Sequence, residues 1–128
     1  FRFKFPVPIV SVRFGLAELE FNRPAFTPDT GERVHFRFGV TPPVDPGDPL
    51  GGSRTVDLSA NVFDLRGRFV RNLYVYDRRS ALDPGDPALD VWDGRDEAGR
   101  IVAPGVYVLR LVIEPNLSRQ TRAMVVVR

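Results

Sequence analysis

Alternation of apolar and polar residues dominates this sequence. In "RVHFRFGVT", apolar residues alternate with Arg33, His35 and Arg37, so the apolar side chains share one face of an extended chain. This period of two is typical of a strand that is buried on one face only, as in an antiparallel sheet. No window of about 11 residues sustains the spacing of an amphipathic helix. The pattern therefore predicts an all-β chain.

The same alternation recurs along most of the chain. Further strands are predicted at 11–21, 54–65, 69–76, 105–114 and 120–128. In the first of these the apolar phase slips, which we interpret as a bulge near Gly15. The 12 Pro and 11 Gly residues fall mostly between the strands, where turns are needed. The sequence thus predicts an antiparallel β-sandwich of about seven strands, with an extra strand at the N-terminus.

The N-terminal segment "FRFKFPVPIV" has an apolar stripe of its own. The stripe consists of Phe1, Phe3, Phe5, Val7 and Ile9. An extended segment of this kind spans roughly 30 Å, at ~3.3 Å per residue. It is either the first strand of its own sandwich or a strand donated to the open edge of a neighbouring subunit. We therefore predict an extended donor or edge segment at 1–15, with the stripe as its interface, and a sandwich at 16–128.

Composition and charge exclude several classes of protein. The chain has 128 residues, 43% of them hydrophobic and 27% charged, which indicates one globular domain rather than a disordered chain. It has no cysteine, so it has neither disulfides nor a thiolate zinc site. The net charge of +2 is spread along the chain and forms no basic stripe for nucleic acid. No run approaches the ~20 apolar residues of a membrane span. Because the chain begins at Phe1, we expect a processed product or a piece of a longer precursor.

The segment "VWDGRDEAGRIVAPGVYVLRL" at 91–111 combines one Trp with several acids, arginines and glycines. A buried Trp removes ~200 Å² from water, which stabilises the fold by about 5 kcal/mol. The Asp and Gly residues between the Trp and the next strand are turn formers. We therefore interpret this segment as a turn of the sheet rather than a catalytic loop. The predicted structural core residues are Trp92, Gly94, Gly99, Gly105 and Tyr107.

Candidate chemistry is sparse. A hydrolase needs a nucleophile with a base, or two convergent carboxylates. The single histidine, His35, lies on the polar face of a strand, and we expect it to be a surface residue. We therefore expect no enzymatic activity and no cofactor.

Two ligand-binding alternatives stay open. The motif "DPGDP" occurs twice and supplies Asp45, Asp48, Asp83 and Asp86. These carboxylates could bind calcium, although Asp-Pro-Gly is first of all turn chemistry. Tyr74 and Tyr76 could bind a glycan, although cross-strand aromatic residues also stabilise sheets.

Three blocks carry a resemblance to a known family. They are "VFDLRGRFVRNL" at 62–73, "WDGRDEAGRIVAPGVYVLRL" at 92–111 and "TRAMVVVR" at 121–128. In this order they resemble the immunoglobulin-like domain of the flagellar hook-capping protein and the type A sorting domain of type IX secretion. The resemblance covers residues 54–128 and implies an immunoglobulin- or fibronectin-III-like sandwich. Asp90 departs from the pattern, because the family usually carries an apolar residue there.

These observations lead to three functional hypotheses. The first is a non-enzymatic extracellular structural module of a bacterial surface assembly, which associates with other subunits through edge strands as a homo-oligomer or filament. The alternative is a C-terminal sorting or anchoring domain of a secreted protein, recognised by secretion machinery. The third is a glycan- or calcium-binding module. All three imply an extracellular or cell-surface location.

Overall fold

The computed structural model describes residues 15–41, 55–115 and 118–128. These residues form eight β-strands and a single-turn 3₁₀-helix at Pro28–Thr30. The strands are β1 (Gly15–Phe21), β2 (Ala25–Phe26), β3 (Val34–Thr41), β4 (Thr55–Asp64), β5 (Phe69–Ser80), β6 (Val91–Trp92), β7 (Gly105–Ile113) and β8 (Ser118–Val126). The predicted all-β fold is confirmed. In this described part of the chain, no helix is long and apolar enough to cross a membrane.

The strands form two sheets that pack face to face. One sheet has three strands in the order β1-β3-β6, and the other has five in the order β2-β8-β7-β4-β5. Every pairing is antiparallel except that of β2 with β8, which is parallel. The two-residue strands β2 and β6 were not predicted, because two residues are too few to show an alternation. They bring the described strands to eight, and the parallel pairing of β2 with β8 makes the larger sheet mixed.

The hydrophobic core lies between the sheets. The alternating residues Leu58, Ala60 and Val62 of β4 are fully buried, as are Leu109 and Leu111 in the neighbouring strand β7. A fully buried Val or Leu side chain stabilises the fold by about 1.5–3 kcal/mol. The central strands of the larger sheet thus provide much of the stability of the domain.

A bulge interrupts β1. Its register with β3 shifts between Ala17 and Glu20, and Glu18 has a positive φ of 60°. The shift allows both Leu16 and Leu19 to point into the core, with 8% and 3% of their surface exposed. The slip in apolar phase does correspond to a bulge, but the bulge lies beyond Gly15, within the strand.

The connections gather at two ends of the sandwich. The turn at 65–68 and the loop at 93–104 lie at one end, because Asp64 pairs with Tyr107 at the start of β7. The loop at 81–90 lies at the opposite end, where Ser80 pairs with Thr55. We call these the turn end and the loop end.

Candidate functional site

A buried ionic cluster lies where β5 meets the residue before β6. The cluster consists of Tyr74, Asp77, Arg79 and Asp90, and the last two have only 8% and 2% of their surface exposed. Arg79 Nη1 donates to both oxygens of Asp90, at 2.8 and 3.0 Å. Arg79 Nε donates to Asp77 Oδ2 at 2.7 Å, and the Tyr74 hydroxyl donates to Asp90 Oδ1 at 2.8 Å. Each charge in this cluster is therefore hydrogen-bonded to an opposite charge.

Burial and charge set the protonation of the cluster. Burial raises the pKa of Tyr74 well above its ordinary value, and the negative charge of Asp90 raises it further. The phenol therefore stays protonated and keeps donating to Asp90. For Arg79, burial is the largest single influence and works against the charged form, but the hydrogen bonds to Asp77 and Asp90 and the charge interactions with Tyr74 and Asp90 together outweigh it and raise the pKa. The guanidinium also lies over the Tyr74 ring, 4.3 Å from its centroid, which favours the cation.

The cluster joins the two sheets and fixes the loop at 81–90. Arg79 Nη1 donates to the Pro84 carbonyl at 2.9 Å, and the Asp86 backbone N–H donates to Asp90 Oδ2 at 2.9 Å. The Phe36 N–H of β3 donates to the Asp90 carbonyl at 3.1 Å. Asp90 is therefore bound to the larger sheet through its side chain and to the smaller sheet through its backbone.

Sequence reasoning singled out neither Arg79 nor Asp90 as a site residue. The available signal was Asp90 itself, which has the same strand phase as the buried Trp92. An acid at a core-facing position requires a buried cation or several donors beside it. That requirement predicts a partner, but it does not identify Arg79 among the many arginines of the chain.

Trp92 and Tyr107 pack against each other in the core. Trp92 is 1% exposed, and its ring lies 5.6 Å from that of Phe26 and 5.4 Å from that of Tyr107. The Trp92 indole N–H donates to the Arg95 carbonyl at 2.9 Å, and the Tyr107 hydroxyl donates to that of Ala103 at 2.6 Å. Both rings thus pack in the core while their polar atoms hold the loop at 93–104.

Of the three glycines predicted for the core, only Gly94 is buried. It has a φ of 79°, and a Cβ atom there would lie 2.5 Å from Pro28 Cγ, so no side chain fits. Gly99 and Gly105 are exposed, with φ values of 82° and 156°. They serve the turn and the start of β7 rather than core packing, because their backbone conformations disfavour other residues.

One turn structure occurs twice at the turn end, in "DLRGR" at 64–68 and "DEAGR" at 96–100. Asp64 Oδ1 accepts the N–H groups two and four residues ahead, both at 2.9 Å, and Asp96 Oδ1 does the same at 3.0 Å. The backbone hydrogen bonds from Arg68 and Arg100 are the main cause of a lowered pKa for Asp64 and Asp96, respectively. These acids therefore build turns.

The calcium candidates are only partly described. Asp86 Oδ1 accepts the Ala88 N–H at 3.0 Å, which is the geometry of a turn, and Asp83 is exposed. Within the described ranges, no group of three or more His, Cys, Asp or Glu side chains could hold a metal ion. Asp45 and Asp48 lie outside the described residues. So does the whole N-terminal stripe of Phe1, Phe3, Phe5, Val7 and Ile9.

Glycan binding by Tyr74 and Tyr76 requires both rings to be exposed, and this expectation is wrong for Tyr74. Tyr76 is 54% exposed with a φ of 50°, whereas Tyr74 is 9% exposed and belongs to the ionic cluster. The register of β5 with β4 shifts between Leu58 and Ala60, so the simple alternation fails here. His35 is exposed on its strand, and its backbone N–H donates to Asn22 Oδ1 at 2.9 Å.

These features define a β-sandwich domain whose acids and arginines build turns and join sheets. No family model matches the sequence, and no curated protein matches it. Solved structures do match the fold. Dimeric latent PorU from Porphyromonas gingivalis is 16% identical, with a TM-score of 0.62, over 91% of this chain and 10% of that chain.

A second match is PorZ, an essential bacterial surface component of the type IX secretion system of Porphyromonas gingivalis. It is 17% identical, with a TM-score of 0.45, over 86% of this chain and 11% of that chain. This chain thus spans about a tenth of the length of either structure. The likeness to PorU shows a shared fold.

Proposed function

We propose that this chain is a non-catalytic sorting domain of a secreted protein, recognised by type IX secretion machinery at the cell surface. The fold likeness to PorU carries the proposal, since 91% of this chain matches a segment that makes up 10% of the PorU chain. A domain of this size attached to a much larger chain suits a recognition module. The three sequence blocks that resemble the type A sorting domain support the same function.

The use of the polar residues supports a non-catalytic role. The carboxylates of Asp64 and Asp96 are bound to backbone N–H groups of their own turns. That of Asp90 is bound to Arg79 and Tyr74. An acid that is fully used in holding the fold is a poor general base or nucleophile, because its lone pairs are already occupied.

Export of a reporter tests the proposal. The 128-residue chain, fused to the C-terminus of a folded reporter, is expressed in a bacterium that has a type IX secretion system. We expect the fusion at the cell surface or in the medium, and the reporter alone inside the cell. Retention of a folded, protease-resistant fusion in the cell would contradict the proposal.

A second candidate function is self-association within a surface assembly. It is favoured by β5, which has 12 residues and ends the five-stranded sheet. Val75 and Tyr76 on this strand are 56% and 54% exposed. Exposed apolar residues on a long edge strand favour pairing with another chain. Light scattering of the purified chain should then show polymers. If the N-terminal stripe is the strand that pairs with the β5 edge of a second copy, removal of residues 1–10 should leave a monomer. A full-length chain that stays monomeric at high concentration would exclude this function.

A further inference from the structure

A cleft of about 240 Å³ opens on the side of the sandwich next to the ionic cluster. Its apolar lining comes from Leu73 on β5, Val91 on β6, and Ala88 and Leu89 on the loop between them. Leu73 and Val91 are half-buried, and Leu89 is 40% exposed. The cleft thus presents an apolar floor to solvent at the edge where the three-stranded sheet ends.

The rim of this cleft is positively charged. Arg33, Arg71 and Asp93 complete the lining, and Arg71 Nη1 lies 3.2 Å from Asp93 Oδ1. An adjoining depression shares Arg33 and Asp93 and adds Arg95, whose Nε lies 3.9 Å from Asp93 Oδ2. Three arginines therefore surround one aspartate.

Glu32, another carboxylate in this region, does not neutralise the excess positive charge of the arginines. Glu32 lines the adjoining depression, but it is 3.2 Å from Arg23 and also accepts the Thr27 N–H. Arg33 is exposed and forms no ion pair with any other described residue. Its charge is therefore available to a ligand.

We propose that this cleft binds an extended acidic segment of a partner protein. An apolar side chain of the segment packs on Leu73 and Val91, and a neighbouring carboxylate pairs with Arg33. Because β6 ends its sheet, an extended segment can lie along this edge and reach both features. Charge complementarity at such a rim selects the partner and speeds association. The inference deepens the proposed function, since it assigns the cleft to recognition by the export machinery.

Peptide binding tests the cleft directly. The probes are a labelled nonapeptide of alternating Leu and Glu and a second in which Lys replaces Glu, each titrated against the full chain. We expect the acidic peptide alone to bind, and Arg33→Glu and Leu89→Glu each to weaken it about tenfold. Both changes lie at exposed positions, so thermal unfolding should show intact folding. Arg66→Glu, at an exposed position in the turn at 65–68, is the matched control and should leave binding unchanged. Failure of the acidic peptide to bind, or equal binding by all variants, would overturn the proposal.

Export separates this inference from the proposed function. With the reporter fusion, Arg33→Glu should reduce export at least severalfold, while Arg66→Glu should not. If the unmodified fusion is not exported, the sorting function is wrong, and peptide binding alone decides about the cleft. If the unmodified fusion and its Arg33→Glu variant are exported equally, the sorting function survives and the role of the cleft in recognition is rejected.

Discussion

The two sheets meet along two opposite sides, and the contacts at these sides differ in chemistry. On one side, alternate residues of β8 reach the backbone of β1. Ser118 Oγ accepts the Leu16 N–H at 3.0 Å, Gln120 Nε2 donates to the Leu16 carbonyl at 3.4 Å, and Arg122 Nη1 donates to that of Leu19 at 2.9 Å. We call this the β1–β8 side. Its contacts are separate hydrogen bonds between a side chain and the backbone.

On the opposite side, which we call the β5–β6 side, the ionic cluster and a loop make the contacts. The Glu97 N–H donates to the Val70 carbonyl at 3.0 Å, and the Asn72 N–H donates to Glu97 Oε1 at 3.3 Å. Nearer the loop end, Arg79 and Asp90 bind each other in a buried environment. This side therefore depends on one strongly coupled group of residues.

The difference implies unequal sensitivity to mutation. A hydrogen bond between a side chain and the backbone contributes about 0.5–1.5 kcal/mol to stability, and each bond of the β1–β8 side can be lost alone. Removing one partner of a buried ion pair costs more, since the other charge is left buried without compensation. The same architecture thus has a tolerant side and a sensitive side.

Asp90→Ala should lower the stability of the fold more than any other substitution at the two sides. It leaves Arg79 buried with much of its charge uncompensated, and we expect the free energy of unfolding to fall by about 3–5 kcal/mol. Urea unfolding of the full chain, followed by circular dichroism, measures the loss. The double variant Arg79→Met with Asp90→Leu removes both charges and should recover most of it. A loss below about 1 kcal/mol in the single variant would show that the two sides are equally sensitive.

Tyr74→Phe should have the next largest effect. The substitution keeps the ring in the core but removes the O–H that donates to Asp90, and a hydrogen bond to a charged group contributes about 1.5–3 kcal/mol. Tyr76→Phe on the same strand is the control, because Tyr76 is exposed. The two unfolding midpoints should differ clearly. Equal midpoints would mean that Tyr74 contributes only through its ring.

The long strands of this fold could be predicted because alternation over many residues is a strong signal. The short strand β6 could not, since it is defined by its pairing with Val34 and His35 rather than by its own pattern. The turns could also be predicted from the sequence, because the residues that form them, Asp and Gly, act within a few positions along the chain. Gly94 was found in this way, although its close contact with Pro28 was not visible.

The ionic cluster lay beyond sequence reasoning for a physical reason. Its members come together only when the sheets pack, and Tyr74 points inward only because β5 is irregular in register. Strict alternation places Tyr74 and Tyr76 on the same face, so it wrongly predicts that both rings are exposed. Asp90 was noticed as an unusual residue, but its function depends on a partner in another strand.

Ser118→Ala should show the smaller cost expected of the β1–β8 side. It removes the acceptor of the Leu16 N–H, and we expect a loss of about 1 kcal/mol. Thr121→Ala is the matched control, because Thr121 lies exposed on the same strand. Urea unfolding under the conditions used for Asp90→Ala allows direct comparison. If Ser118→Ala lowers stability as much as Asp90→Ala does, then the β1–β8 side is no more tolerant of mutation than the β5–β6 side.

The smallest effect should come from the two turns, which lie at the turn end. Hydrogen bonds from Arg68 and Arg100 lower the pKa of Asp64 and Asp96 in the folded chain below the ordinary 3.8. A carboxylate whose pKa is lowered by folding stabilises the fold above its unfolded pKa. That contribution is lost as the pH falls through the folded value. Stability should therefore decrease below about pH 4.

The double variant Asp64→Asn with Asp96→Asn isolates this contribution. Each amide oxygen can still accept the turn N–H groups, but it does not titrate in this range. We expect the variant to be slightly less stable than the unmodified chain at pH 7 and to lose less stability between about pH 4 and pH 2. Solvent screens the charges of both acids. The difference in stability between the two chains should therefore be smaller than the losses caused by substitutions at either side of the sandwich. Chemical unfolding at several pH values measures it, and parallel curves for the two chains would show that these turns contribute nothing to acid sensitivity.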